Sequence, residues 1–118
     1  MDNADFVQKR QYYRLKYPKR ARPTVKIDDQ LFHVCEISEQ GIRISMPRVT
    51  TLYCGLSMSG TVQLRSNNTV KIAGQVLRFQ QDEVVVQLSN GPAFKHMVEE
   101  QRYIRQRYPT YFSSLRSA

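Results

Sequence analysis

From residue 24 to residue 88 the chain repeatedly alternates apolar and polar residues, and nowhere in that span does a helix-length segment intervene. Successive side chains on a strand point to opposite faces, so each such run buries one face and wets the other. The runs are 24–27, 31–37, 41–45, 60–64, 70–79 and 84–88, and turn-forming residues separate them. Parallel neighbours need a long crossover, usually helical, and none fits between these runs. Parallel βαβ architecture is therefore disfavoured, and antiparallel pairing is expected. Run 70–79 breaks strict alternation around Gly74, which predicts a bulge or a barrel corner there. The loop 47–58 offers Leu52, Tyr53 and Leu56 as inward anchors.

After Leu88 the period changes. Asn90-Gly91-Pro92 reads as a helix start, and Phe94, Met97, Val98, Ile104 and Tyr108 then fall on one helical stripe. Pro109 ends that helix, which is expected over about 91–108, and 111–115 reads as a final short turn. The expectation is an all-β fold, a six-stranded antiparallel β-barrel or half-open sandwich, with a C-terminal α-helix packed on it. The chain of 118 residues suits one domain that buries roughly 65% of its unfolded surface.

Charge is unevenly spread. The net charge is +8, and Lys9, Arg10, Arg14, Lys16, Lys19, Arg20 and Arg22 carry most of it in a segment without an acid. That balance favours an anionic partner: nucleotide, nucleic acid or anionic lipid. Pro18 and Pro23 disfavour a long helix here, so residues 1–22 are expected to form a flexible basic arm, frayed over 1–7, and residues 23–118 the barrel and helix.

Other chemistries find little support. Cys35 and Cys54 have no Cys or His at metal spacing, and Cys35 in its apolar run reads as a small core residue. His33 and His96 lack a carboxylate and nucleophile at recognisable spacing, so neither a catalytic residue nor a metal ligand is expected, and the chain is not expected to be an enzyme. The acidic start Met1-Asp2-Asn3-Ala4-Asp5 is unlike a signal peptide, and no apolar run approaches the ~20 residues of a membrane span. A reduced, cytoplasmic setting is expected.

Two short motifs carry chemistry. Arg10-Gln11-Tyr12-Tyr13-Arg14 sets two guanidiniums four residues apart on the arm, and Glu36-Ile37-Ser38-Glu39-Gln40-Gly41 sets a carboxylate, a hydroxyl and a glycine in a tight turn. Arginine offers a planar fork for phosphates and for guanine O6 and N7, while a carboxylate suits the N–H and NH2 of a guanine Watson–Crick edge. Taken alone, the second motif is also what a plain hairpin turn would show. Gly41 would permit a positive φ or a close backbone approach.

Together the motifs resemble the PilZ domain, the bacterial receptor family for cyclic di-GMP, whose signature is R-x-x-x-R on an N-terminal arm and [D/N]-x-S-x-x-G within the barrel. The resemblance extends to Gly41-Ile42-Arg43-Ile44, to Gly74-Gln75-Val76-Leu77-Arg78, and to the terminal helix. It implies that Arg10 and Arg14 hold phosphates and guanine faces, that position 36 accepts from a Watson–Crick edge, that Ser38 bonds beside that base, and that Gly41 lets the backbone come close. Lys9 matches a position where a basic residue accompanies uptake of an intercalated ligand pair. Arg78 would reach the ligand from the barrel wall, although an arginine there is more commonly a plain surface residue. Tyr12, Tyr13 and Tyr17 would stack on a base or pin the arm. Glu36 departs from the pattern, being one methylene longer than Asp, and a misplaced charged hydrogen bond costs ~1.5–3 kcal/mol, about one to two decades in affinity.

The expected function is thus a cyclic di-GMP receptor that acts through an unidentified downstream protein, in motility or biofilm regulation, with no cofactor, no DNA partner and no membrane span. One alternative is a PilZ-like adaptor that has lost the nucleotide. Another is a barrel for single-stranded nucleic acid, disfavoured because aromatics are sparse along the strands.

Overall fold

The computed structural model describes residues 12–49 and 51–111. It contains β1 (Leu15–Lys16), a 3-10 turn (Lys19–Ala21), β2 (Thr24–Ile27), β3 (Gln30–Ile37), β4 (Gly41–Ser45), β5 (Ser57–Gln63), β6 (Thr69–Gln80), β7 (Glu83–Asn90) and α1 (Phe94–Arg107). All pairings are antiparallel, and β2, β3, β4, β7, β6 and β5 close on one another in that order. The fold is a six-stranded antiparallel β-barrel with one extra strand, β1, and a C-terminal helix. Its interior is the inward row of the alternating runs, including Val25, Val34, Ile37, Ile42, Ile44, Val62, Ile72, Val76, Val84, Val86 and Leu88. Asp28 and Asp29 both adopt positive φ, 50° and 66°, as the two-residue turn between twisted strands requires.

Three register shifts shape the barrel. In β3, Val34 lies opposite Ile44 and Glu36 opposite Arg43, so Cys35 is the extra residue. Val34 and Ile37 both point inward across this bulge, which leaves Glu36 on the outer wall. In β6, Val76 lies opposite Val86 and Arg78 opposite Val85, which makes Leu77 the extra residue. A further shift falls between Ala73 and Gly74, where alternation predicts one. There the backbones come so close that a Cβ on Gly74 would lie 2.0 Å from the Gln87 carbonyl oxygen, so only glycine fits.

Four expectations need correction. Tyr53 is 61% exposed rather than an inward anchor, while Leu52 and Leu56 do pack on the core. The strand after this loop starts at Ser57, because backbone pairing with β6 extends past the apolar residues. Phe94 is 69% exposed, and the inward helical stripe is instead Met97, Glu100 and Ile104. Residues 15–22 do not form a loose arm. Leu15 and Lys16 pair with Ile37 and Glu36, and Leu15, Tyr17 and Ala21 are buried in the core. The alternation Leu15-Lys16-Tyr17 already carries that strand signal, and the surrounding cations obscure it.

Glu100 ties these pieces together. Its carboxylate is fully buried and accepts hydrogen bonds from the Tyr17 hydroxyl at 2.6 Å, from the Arg65 amide at 2.9 Å and from the Ser66 amide at 2.9 Å. A buried charge is tolerable when donors saturate it. At the start of α1, the Ala93 amide donates to His96 Nδ1 at 3.1 Å, which satisfies one of the open amides there and gives His96 a capping role.

Burial raises the Tyr17 hydroxyl pKa, helped by Glu100, and pushes the Cys35 thiol from 9.0 up to about 11, with Arg22 pulling the other way. Both groups bind their proton more tightly in the folded chain than in the unfolded one. Their stabilisation is therefore complete below pH 9.0 and is lost as pH rises through the folded values. Urea unfolding should show stability level up to about pH 9 and falling from there to about pH 11, with a shallower fall in Cys35→Ala over that window.

Candidate functional site

The turn between β3 and β4 is built to be tight. The Ser38 amide donates to the Gly41 carbonyl at 2.8 Å, and the Gln40 amide donates to Ser38 Oγ at 3.3 Å. The Leu88 amide donates to the Gln40 carbonyl at 3.0 Å and fixes the turn against β7. Ile42 and Ile44 point inward, so Gly41 and Arg43 face out along β4, as Val85 and Gln87 do along β7. The bulge at Leu77 adds both Leu77 and Arg78 to the same outer wall. Tyr12 and Arg14 lie across it.

These elements enclose a cleft of about 300 Å³, lined by Tyr12, Arg14, Glu36, Ser38, Gln40, Gly41, Arg43, Leu77, Arg78 and Gln87 among others. Arg14 Nη1 stands 3.7 Å from Glu36 Oε2. Arg43 is held by Gln80 Oε1 at 2.6 Å and Glu83 Oε1 at 3.2 Å, so the turn between β6 and β7 sets its orientation. Tyr111 closes the far end of the arm by donating from its hydroxyl to the Lys16 carbonyl at 3.1 Å; burial raises its phenol pKa, Arg22 pulls the other way, and Glu36 and Tyr13 add to the rise. Three guanidiniums, one carboxylate, a hydroxyl and an aromatic ring around one cleft suit a flat, anionic, heteroaromatic ligand.

The structure thus brings Arg14, Glu36, Ser38, Gly41 and Arg78 together, whereas Lys9 and Arg10 lie outside the described residues. Gly41 has no positive φ, and a Cβ there would meet Ser38 Oγ at 3.5 Å and the Val86 carbonyl oxygen at 3.9 Å, which is ordinary contact. The barrel itself does not require glycine at this position. Sequence reasoning missed Gln40, Arg43, Leu77 and Gln87 as lining residues. Outward parity along β4 and β7 would have found Arg43 and Gln87, whereas Leu77 depends on a bulge that alternation alone does not locate. Among the described residues, no cluster of His, Cys, Asp and Glu could hold a metal ion, and no helix is long and apolar enough to cross a membrane.

The sequence model of the PilZ domain family matches residues 8–106. The chain belongs to the PilZ family. That family is one of binding and adaptor domains, among them receptors for cyclic di-GMP. Among solved structures, this PilZ barrel is similar to the Bacillus subtilis inhibitor of motility MotI/DgrA, with a TM-score of 0.66 and 20% identity over 87% of this chain. The chain spans 52% of that Bacillus protein. It is also similar to an uncharacterized protein from Legionella, with a TM-score of 0.49 and 15% identity over 91% of this chain and 100% of that one. The first likeness shows the shared fold. No curated protein sequence matches.

Proposed function

We propose that this PilZ domain is a non-enzymatic receptor for cyclic di-GMP. The observation that carries the reading is that Arg14, from the arm, lines the same cleft as Glu36, Ser38 and Gly41, from the β3–β4 corner. In this reading Arg14, with Arg10 and Lys9 ahead of it, takes phosphates and guanine O6 and N7. Glu36 accepts from a Watson–Crick edge, Ser38 bonds beside that base, and Arg78 reaches in from the wall. Leu15 and Tyr17 anchor the arm in the core, so the conformational response falls on residues ahead of Leu15. Ligand entry would draw Arg14 from Glu36 and thereby change the surface that the arm shows a partner protein.

Calorimetric titration with cyclic di-GMP should give a saturable heat with a whole-number stoichiometry, and GMP at the same concentration should give far less. Gly41→Ala separates fold from ligand. Its effect on stability should stay below about 1 kcal/mol in thermal melts, because the methyl meets only ordinary contacts. The same methyl should weaken nucleotide binding, because it stands where the ligand approaches the backbone.

A second reading rests on Glu36. The family places Asp or Asn there, and in this chain Glu36 reaches Arg14. A self-paired arginine suits an adaptor that works through protein contacts and no longer takes the nucleotide. No heat and no thermal shift with cyclic di-GMP, in protein shown to be folded, would select that reading.

A further inference from the structure

Away from this cleft, the 3-10 turn and the end of α1 meet in a second recess of about 480 Å³, lined by Lys19, Arg20, Arg107, Tyr108 and Tyr111 among others. None of its lining residues is acidic. The Arg20 guanidinium lies over the Tyr108 ring at 5.3 Å, and that of Arg107 lies over the Tyr103 ring at 5.2 Å. Both cations are thus steadied by aromatic faces, while the ion pairs among the described residues are Arg14–Glu36, Lys26–Asp29 and Arg43–Glu83. A helix C-terminus favours a cation, which accounts for Arg107. It does not account for Lys19 and Arg20, which a different element brings to the same recess.

We infer that this recess is a docking site for an acidic segment of a partner protein, with carboxylates seated between Lys19, Arg20 and Arg107. Guanidinium forks held in place match carboxylates in two-point contacts and lose little freedom on binding. Anionic membranes are engaged by broad clusters of roughly 4–8 Lys and Arg. Single-stranded nucleic acid needs open aromatic faces for stacking, and here Arg20 covers Tyr108. The recess gathers three cations, and Arg20 already covers its Tyr108 ring, so side-chain carboxylates are the better match. This inference goes beyond the nucleotide reading and does not depend on it.

The test uses the full chain and a short fluorescent peptide of alternating Glu and Gly, read by anisotropy at low and moderate salt. The peptide should bind, and binding should weaken as salt rises. A variant carrying Lys19→Glu, Arg20→Glu and Arg107→Glu should lose roughly tenfold or more in affinity. If its melting shows that it no longer folds, Arg20→Gln alone should still give a measurable loss. Lys26→Glu with Lys71→Glu, on β2 and β6, should leave binding within about twofold of wild type. Equal binding by the recess variants would overturn the inference, as would an equal loss in the distant control. So would tighter binding, at the same salt, to phosphatidylcholine–phosphatidylglycerol vesicles or to a random DNA oligonucleotide.

Discussion

Arg14→Ala is expected to weaken cyclic di-GMP binding by about two decades while leaving the melting temperature nearly unchanged. The side chain is partly exposed, and its pair with Glu36 at 3.7 Å is a long, solvated one, so its loss should cost the fold no more than about 1 kcal/mol. The ligand would lose much more. A charge-assisted hydrogen bond contributes about 1.5–3 kcal/mol, and one arginine would serve both a phosphate and a guanine edge. A loss of ~3 kcal/mol is about a hundredfold in Kd. Arg14→Lys should fall between, since it keeps the charge and gives up the planar fork. The measurement is paired calorimetry and thermal melting on all three proteins. A wild-type Kd in Arg14→Ala would refute the receptor reading at its centre.

Glu100→Ala should be the most damaging single change to the fold. It strands the Arg65 and Ser66 amides and the Tyr17 hydroxyl, which together hold the β5–β6 turn and the arm. Breaking a buried, saturated charge costs roughly 3–5 kcal/mol, a large share of the stability of a domain this size. The melting temperature should fall by about 10–20 °C. Glu100→Gln should fall less, since it keeps one acceptor and the shape. Glu99→Ala, which removes an exposed hydrogen bond to Asn68, should change stability by no more than about 0.5 kcal/mol. Equal effects at positions 99 and 100 would show that the buried tie carries no special weight.

The strands, the turns and the position of the helix were legible because alternation and helical period record which face is buried. The motif residues Arg14, Glu36, Ser38 and Gly41 were legible as well, since their types and order carry the family resemblance. Three things were not. Glu100 lies on the inward stripe, at helical spacing from Met97 and Ile104, yet a carboxylate there reads as solvent-facing unless its donors on Tyr17, Arg65 and Ser66 are known. The bulge at Cys35, which sets Glu36 on the outer wall, shows in the sequence only as the adjacent apolar pair Val34 and Cys35. Leu15, Tyr17 and Ala21 were hidden among cations, which suggested a free arm where the chain is half core.

The Tyr17–Glu100 bond joins residues 83 apart in sequence. Closing so long a segment costs entropy that local pairing cannot repay, so this junction forms after the hairpins have assembled. Because Tyr17 and Glu100 are both buried, its opening belongs with that of the core, and β1 and α1 then come away from the barrel together. A partner that grips the last turn of α1 would therefore also hold down β1, although 83 residues separate Tyr17 from Glu100 along the chain.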